Sequence, residues 1–272
     1  MLYLVLSVLC SVLIANLLMV FNRGEGRNIL PVFLGNYLMA SLFGLANLRF
    51  RLPALPAFDI LLGVAAGGLF LANFWVYQRS IVVNGLSLSV GVMRIAMIIP
   101  ILLAVLVFRE KLSFWNGLGI VAGLAAFSLR ADPRQLRDFL WIVALFVISG
   151  LTDASLKVYK ELGSGAESAF VLVIFAAAFV FTLATILLRR IRIPLQSILL
   201  GCVLGIPNRY STVFFLKGLD SVPAAVAYPL VAVSIVLLSI VSDLLVWKKR
   251  ATPRDAILWA LLLLSLLLLN LR

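Results

Sequence analysis

Three basic residues lie inside long apolar runs of the chain. Arg94 stands in the stretch VMRIAMIIP, Val92 to Pro100, and Lys157 and Arg209 lie within two other such runs. If these runs cross a bilayer, each charge costs about 2.5 to 3.5 kcal/mol on insertion scales, so contact of all three with lipid is excluded. A guanidinium binds carboxylate or phosphate through two parallel hydrogen bonds. We therefore expect Arg94 and Arg209, together with Lys157, to face a cavity and bind an anionic group.

Other polar residues in the runs are candidates for hydrogen bonds to the same ligand. Asn208, Asn73 and Tyr77 could bind substrate; for Asn73 and Tyr77, hydrogen bonds between helices are at least as good an explanation. Helical spacing places several of the polar and small residues on common faces, with the glycines expected to serve close helix packing. These faces hold Ser87, Gly91 and Arg94; Ser149, Asp153 and Lys157; and Gly201, Gly205, Asn208 and Thr212.

Two acids inside the runs offer an alternative role for the arginines. Arg94 with Asp243, and Arg209 with Asp153, could form ion pairs of a gate that never touch substrate. Glu110 lies between two basic residues at the end of a run, where we expect a solvated helix cap.

The composition requires the elements that carry these residues to be membrane helices. Of the 272 residues, 64% are hydrophobic and 12% are charged, and the mean hydropathy is +1.16. Apolar runs of about 17 to 25 residues, the length that spans a hydrocarbon core, recur ten times. The expected spans are Leu2 to Phe21, Ile29 to Ala46, Phe58 to Gln78, Leu86 to Phe108, Ser113 to Leu129, Phe139 to Tyr159, Ser168 to Leu188, Leu195 to Leu216, Val222 to Trp247 and Ala256 to Leu271.

Several classes of function conflict with the residue types. The chain has no histidine, no HExxH and no GxSxG, so we expect neither an enzyme nor a metal or other cofactor. Cys10 and Cys202 lie in different runs and are expected to be packing residues. The net charge of +12 is distributed over loops between apolar runs, which argues against a nucleic-acid partner.

The basic residues of the loops predict the orientation. Of the 23 Lys and Arg, three lie inside runs, 13 in odd-numbered loops, and 7 in even-numbered loops or at the C-terminus. The positive-inside rule then places the odd loops in the cytoplasm and both termini outside it. The first run lacks a basic start and a cleavage pattern, so we interpret it as a retained helix.

The two halves of the chain repeat each other. A shift of 138 residues aligns ILLGVAAG (Ile60 to Gly67) with ILLGCVLG (Ile198 to Gly205), and a shift of 139 aligns Ala15 to Gly26 with Ala154 to Gly165. We predict an all-α membrane protein with two five-helix repeats, residues 1–130 and 139–272, joined by a cytoplasmic linker 131–138. Because five is odd, the repeats would be inverted around a central cavity.

The stretch SLSVGVMRIAMIIPILLAVLVFREKLSFWNGLGIVAGLAAF, Ser87 to Phe127, resembles the repeat of the drug/metabolite transporter superfamily, of the EamA-like kind. The resemblance rests on Pro100, Glu110 and the spaced glycines that follow; in the second half Lys248 stands where Glu110 would recur. It implies a secondary transporter of small metabolites with a central cavity between the two repeats. From the basic residues inside the runs, we expect it to move a small anionic or zwitterionic metabolite by alternating access. The alternatives are a flippase for an anionic lipid-linked head group or an amino-acid exporter. We expect a bacterial inner-membrane protein, as a monomer or homodimer in the lipid bilayer, with a small-molecule substrate as partner.

Overall fold

The structure, a computed structural model, describes residues 1–21, 29–51, 53–130, 136–246, 248 and 253–271. The side chains of Ser87 and Asp243 lie outside the described part. The described residues form helices and their connections, with no strand among them. The all-α class predicted from composition is therefore confirmed.

Eleven α-helices and one π-helical turn follow the apolar runs closely. They are α1 (Leu2–Phe21), α2 (Leu30–Asn47), α3 (Ala57–Asn84), α4 (Leu86–Ile95), α5 (Ile98–Leu102), the π-helical turn (Leu103–Val107), α6 (Phe114–Arg130), α7 (Phe139–Leu162), α8 (Glu167–Leu188), α9 (Leu195–Gly218), α10 (Ala224–Leu245) and α11 (Pro253–Asn270).

Seven helical stretches of the described residues are long and apolar enough to cross a membrane, which indicates an integral membrane protein. They are Leu30–Asn47, Ala57–Asn84, Leu88–Val107, Phe139–Leu162, Glu167–Leu188, Leu195–Gly218 and Ala224–Ser242. The first, fifth and tenth expected spans correspond to shorter apolar helices. The count of ten membrane spans and the inverted repeat remain predictions.

The fourth expected span is interrupted in its middle. Pro100 has no backbone N–H, so the regular hydrogen-bond ladder cannot continue through it. Around the interruption, the N–H of Met97 donates to the carbonyl of Arg94 at 3.3 Å, and the N–H of Ile99 donates to that of Ala96 at 3.0 Å. These shorter-range bonds end α4 just after Arg94 and place this arginine in its last turn.

The chain divides into two compact units, of which unit 1 comprises Met1–Leu71 and Val158–Gly218. In this unit α2 packs against α8 and α9, and α1 packs against α9. The α2–α9 contact is close because it uses glycines. A Cβ added at Gly201 would lie 1.9 Å from the carbonyl oxygen of Val32, and one added at Gly205 would lie 2.4 Å from that of Asn36.

Unit 2 comprises Ala72–Lys157 and Leu219–Arg272. In it α6 packs against α4 and α11, and α10 packs against α5, α6 and α11. The Ser265 hydroxyl of α11 donates to the carbonyl of Gly119 in α6 at 2.7 Å, which satisfies a buried polar group between two apolar helices.

Each unit combines residues from both halves of the sequence. The helices α3 and α7 are each divided between the two units. The units are defined by packing, whereas the expected repeats are defined by sequence similarity. The division into 1–130, 131–138 and 139–272 therefore remains a prediction.

Candidate functional site

An apolar core in unit 2 joins the helices that carry most of the predicted site residues. It consists of Val76 from α3, Leu88 and Val92 from α4, and Leu145 from α7. Polar residues of the same helices lie within about two helical turns of these core positions. The burial of the apolar side chains thus holds the polar ones near each other.

A hydrogen bond links α3 and α7 directly beside this core. The hydroxyl of Ser149 donates to Oδ1 of Asn73 at 2.6 Å, and Ser149 is buried. Tyr77 and Asp153 lie four residues further along their respective helices, on the same faces. The two faces therefore present an amide, a hydroxyl, a phenol and a carboxylate.

Arg94 of α4 interacts electrostatically with both Asp153 and Tyr77. Its side chain is half-buried at the end of α4. A nearby carboxylate helps to compensate a charge inside an apolar run, as an intramembrane arginine requires.

Tyr228 of α10 adds a fourth helix. Its hydroxyl donates to the backbone carbonyl of Asp153 at 2.6 Å, and its ring is buried. We refer to the six residues of α3, α4, α7 and α10 as the polar cluster: Asn73, Tyr77, Arg94, Ser149, Asp153 and Tyr228. The cluster supplies a cation, an anion and neutral hydrogen-bonding groups, which together can bind a small charged molecule.

Lys157 has a different environment from the one expected for a substrate-binding residue. Its Nζ lies 2.5 Å from Oε1 of Glu110, and the side chains are 2% and 14% exposed. Lys157 Nζ also lies 5.2 Å from the ring centre of Phe108. The expectation that Glu110 is a solvated cap is wrong, because the carboxylate is part of an ion pair and accepts backbone hydrogen bonds from Ala224 and Ala225.

Arg209 and Asn208 belong to unit 1. Arg209 is fully buried and donates from Nη2 to the carbonyl of Ser168 at 3.3 Å, while Nη1 packs against Gly44. Asn208 donates to Oδ1 of Asn36 at 3.2 Å, a hydrogen bond between α9 and α2.

The candidate gate acids are described only in part. The sequence paired Arg94 with Asp243 and Arg209 with Asp153, and both pairings remain predictions. In the structure the charge of Arg94 acts on Asp153. The Asp243 side chain lies outside the described residues. Arg94 and Asp153 both belong to unit 2.

Tyr228 was missed by sequence reasoning, although a signal existed. It is a single phenol in the apolar stretch AVAYPLV, directly before a proline. A buried tyrosine hydroxyl needs a hydrogen-bond partner, which makes such a residue a candidate for a polar site. For metal binding, no suitable group of three or more His, Cys, Asp or Glu occurs in the described ranges.

Comparison with known proteins shows the fold and names no activity. No family model matches the chain. An uncharacterised protein of Haemophilus influenzae is 24% identical over 265 residues, which cover 91% of this chain and 90% of that protein. A crystal structure described only as that of a protein aligns with a TM-score of 0.80 and 14% identity, covering 99% of this chain and 98% of the other. The chain therefore shares its fold with that solved protein.

Proposed function

We propose that this chain is a secondary transporter that moves a small anionic or zwitterionic metabolite across the membrane by alternating access. The observation that carries the proposal is the polar cluster, in which the charge of Arg94 acts on Asp153 and Tyr228 donates to the carbonyl of Asp153, on helices long and apolar enough to span a membrane. Intramembrane ionisable groups are rare and typically mark substrate or ion pathways. The polar cluster is the substrate site in this proposal.

The chemistry of the cluster favours substrates with a carboxylate or phosphate. Arg94 can bind such a group through two charge-assisted hydrogen bonds. The cluster also contains the carboxylate of Asp153, so a substrate that carries an ammonium group as well, as an amino acid does, can pair with both side chains at once. The presence of both charges in the cluster therefore favours a zwitterionic substrate.

The architecture proposed for this function is ten membrane helices in two inverted five-helix repeats, of the EamA-like drug/metabolite transporter kind. Its support is the agreement between the ten apolar runs and the helices, together with the shift of 138 to 139 residues between the halves. In such folds the substrate lies between the repeats and is exposed to one side at a time. A bacterial inner membrane as location belongs to the same proposal.

Counterflow in proteoliposomes tests the proposal. Vesicles containing the purified chain are preloaded with one unlabelled compound and diluted into a trace of the same compound carrying a label. The panel holds alanine, leucine, citrate, glucose 6-phosphate, glucose and choline. Transient accumulation of a labelled zwitterion or anion above the level of protein-free vesicles supports the proposal. Accumulation of choline or glucose alone, or of no compound tested, contradicts it.

A further inference from the structure

Glu110 connects two helices of unit 2 through both of its carboxylate oxygens. Oε1 accepts from Lys157 Nζ of α7 at 2.5 Å and from the N–H of Ala224 at 3.1 Å, and Oε2 accepts from the N–H of Ala225 at 2.8 Å. The residue before α10, Pro223, makes no side-chain capping bond. Glu110 therefore satisfies the first amides of α10 from a distant part of the chain.

The backbone before Glu110 is shaped to bring the carboxylate there. The helix of this span widens into the π-helical turn Leu103–Val107, and the N–H of Glu110 donates to the carbonyl of Ala104 at 2.9 Å. Arg109 has a φ of 54°, in the left-handed region that costs energy for a residue with a side chain. π-helical turns and strained residues of this type occur frequently at functional sites.

The contacts of Glu110 lie one helical turn away from the polar cluster on two helices. Lys157 follows Asp153 by four residues in α7, and Ala224 precedes Tyr228 by four residues in α10. Tyr228 itself donates to the carbonyl of Asp153 at 2.6 Å. Two connections one turn apart therefore fix the register of α7 against α10.

We propose that Glu110 is a positioning residue of the polar cluster. By joining Lys157 to the first turn of α10, it holds Asp153 and Tyr228 in register with each other, and it limits access to the cluster. This inference rests on the proposed function only in taking the cluster as the substrate site. Glu110 itself does not touch the substrate.

Thiol labelling measures the effect without any substrate. In the full chain with Cys10→Ser and Cys202→Ser, Ser149→Cys places a reporter thiol in the cluster. The probe is methyl methanethiosulfonate, added to the protein in detergent. We expect Glu110→Gln to increase the labelling rate of this thiol about tenfold, because the charged link between α7 and α10 is lost.

Two further variants isolate the link. Lys157→Gln leaves Glu110 as the cap of α10 and removes only its connection to α7, so it should also increase labelling, whereas Lys157→Arg should keep the parent rate. The matched control is Glu167→Gln, which removes the ion pair with Lys160 in unit 1 and should leave the rate unchanged.

The outcomes separate this inference from the proposed function. Labelling within about twofold of the parent in both Glu110→Gln and Lys157→Gln, with intact elution on size exclusion, overturns the inference even where counterflow succeeds. Loss of the folded state in both variants overturns it too, because Glu110 would then support the whole fold and not the cluster. Faster labelling with no counterflow in the parent supports the inference and contradicts the proposed function. Where a substrate is found, we expect Glu110→Gln to raise KM about tenfold with a smaller change in Vmax.

Discussion

Lys157 and Glu110 form an ion pair that is shielded from solvent, with 2% and 14% of the two side chains exposed. The chain contains a second pair of the same chemistry, Lys160 with Glu167, whose side chains are 17% and 22% exposed. The two pairs provide a comparison of one interaction in two environments. Leaving a carboxylate without its cation costs more free energy at a site where less water can take the place of the lost partner.

We therefore expect Lys157→Met to lower the free energy of unfolding by about 3 to 5 kcal/mol, the loss typical when one partner of a buried pair is removed. Lys160→Met should lower it by about 1 kcal/mol or less. Equilibrium unfolding of both variants in the same detergent measures the difference. Equal losses in the two variants would contradict the assignment of Lys157 to a buried pair.

Glycine packing between α2 and α9 gives a second prediction. A Cβ at Gly201 would lie 1.9 Å from the carbonyl oxygen of Val32, and because this contact is with backbone, no side-chain rotation can relieve it. We expect Gly201→Ala to destabilise the protein by about 1 to 3 kcal/mol. Thermal unfolding in detergent is the measurement.

Gly117 is the matched control for this substitution. An added Cβ there meets no atom within 4 Å, so Gly117→Ala should be neutral or stabilise α6 by up to about 1 kcal/mol through helix propensity. If the two alanine variants unfold at the same temperature, the helices α2 and α9 are not in the close contact described here.

The helices could be predicted from the sequence because an apolar run long enough to cross a bilayer can be recognised without knowing what it packs against. The expected first span coincides with α1, and the expected seventh and eighth spans differ from α8 and α9 by one or two residues at an end. The interruption after Arg94 was only partly predictable. Pro100 indicates a kink, but where the ladder changes to shorter-range bonds depends on local packing.

The site was predicted incompletely because a sequence gives positions on a helix and not partners across helices. The residues Ser149, Asp153 and Lys157 lie along one face of α7. They nevertheless have different partners: Ser149 contacts Asn73, and Lys157 contacts Glu110. Glu110 was misjudged because its neighbours in sequence are charged, while its neighbours in space are Lys157 and the start of α10.

The orientation of the chain can be tested with reporter fusions. Because 13 of the basic loop residues lie in odd-numbered loops and 7 elsewhere, we expect a fluorescent reporter that folds only in the cytoplasm to be dark when fused to the C-terminus. The same reporter fused after Arg192, in the predicted seventh loop, should fluoresce. The reverse pattern, measured at equal expression, would invert the predicted topology.

Arg94 is the residue on which the proposed substrate class depends. If it binds a carboxylate or phosphate through two charge-assisted hydrogen bonds, Arg94→Gln should reduce counterflow of the substrate about hundredfold. Arg94→Lys should retain part of the activity, because it keeps the charge and loses the planar fork. The matched control is Arg79→Gln, an exposed arginine of α3 that lies over the ring of Trp141 and should leave transport unchanged.

The alternative role of Arg94 as half of a gate gives a different pattern in the same assay. If the arginine only balances Asp153, then Arg94→Gln leaves that carboxylate without its cation, and a second substitution, Asp153→Asn, should restore transport by removing the buried charge. If Arg94 binds the substrate, the double variant stays inactive, because neutralising Asp153 replaces none of the hydrogen bonds to the substrate. Counterflow by the double variant at the parent rate would therefore assign Arg94 to a gate, and a continued loss of about hundredfold would assign it to the substrate.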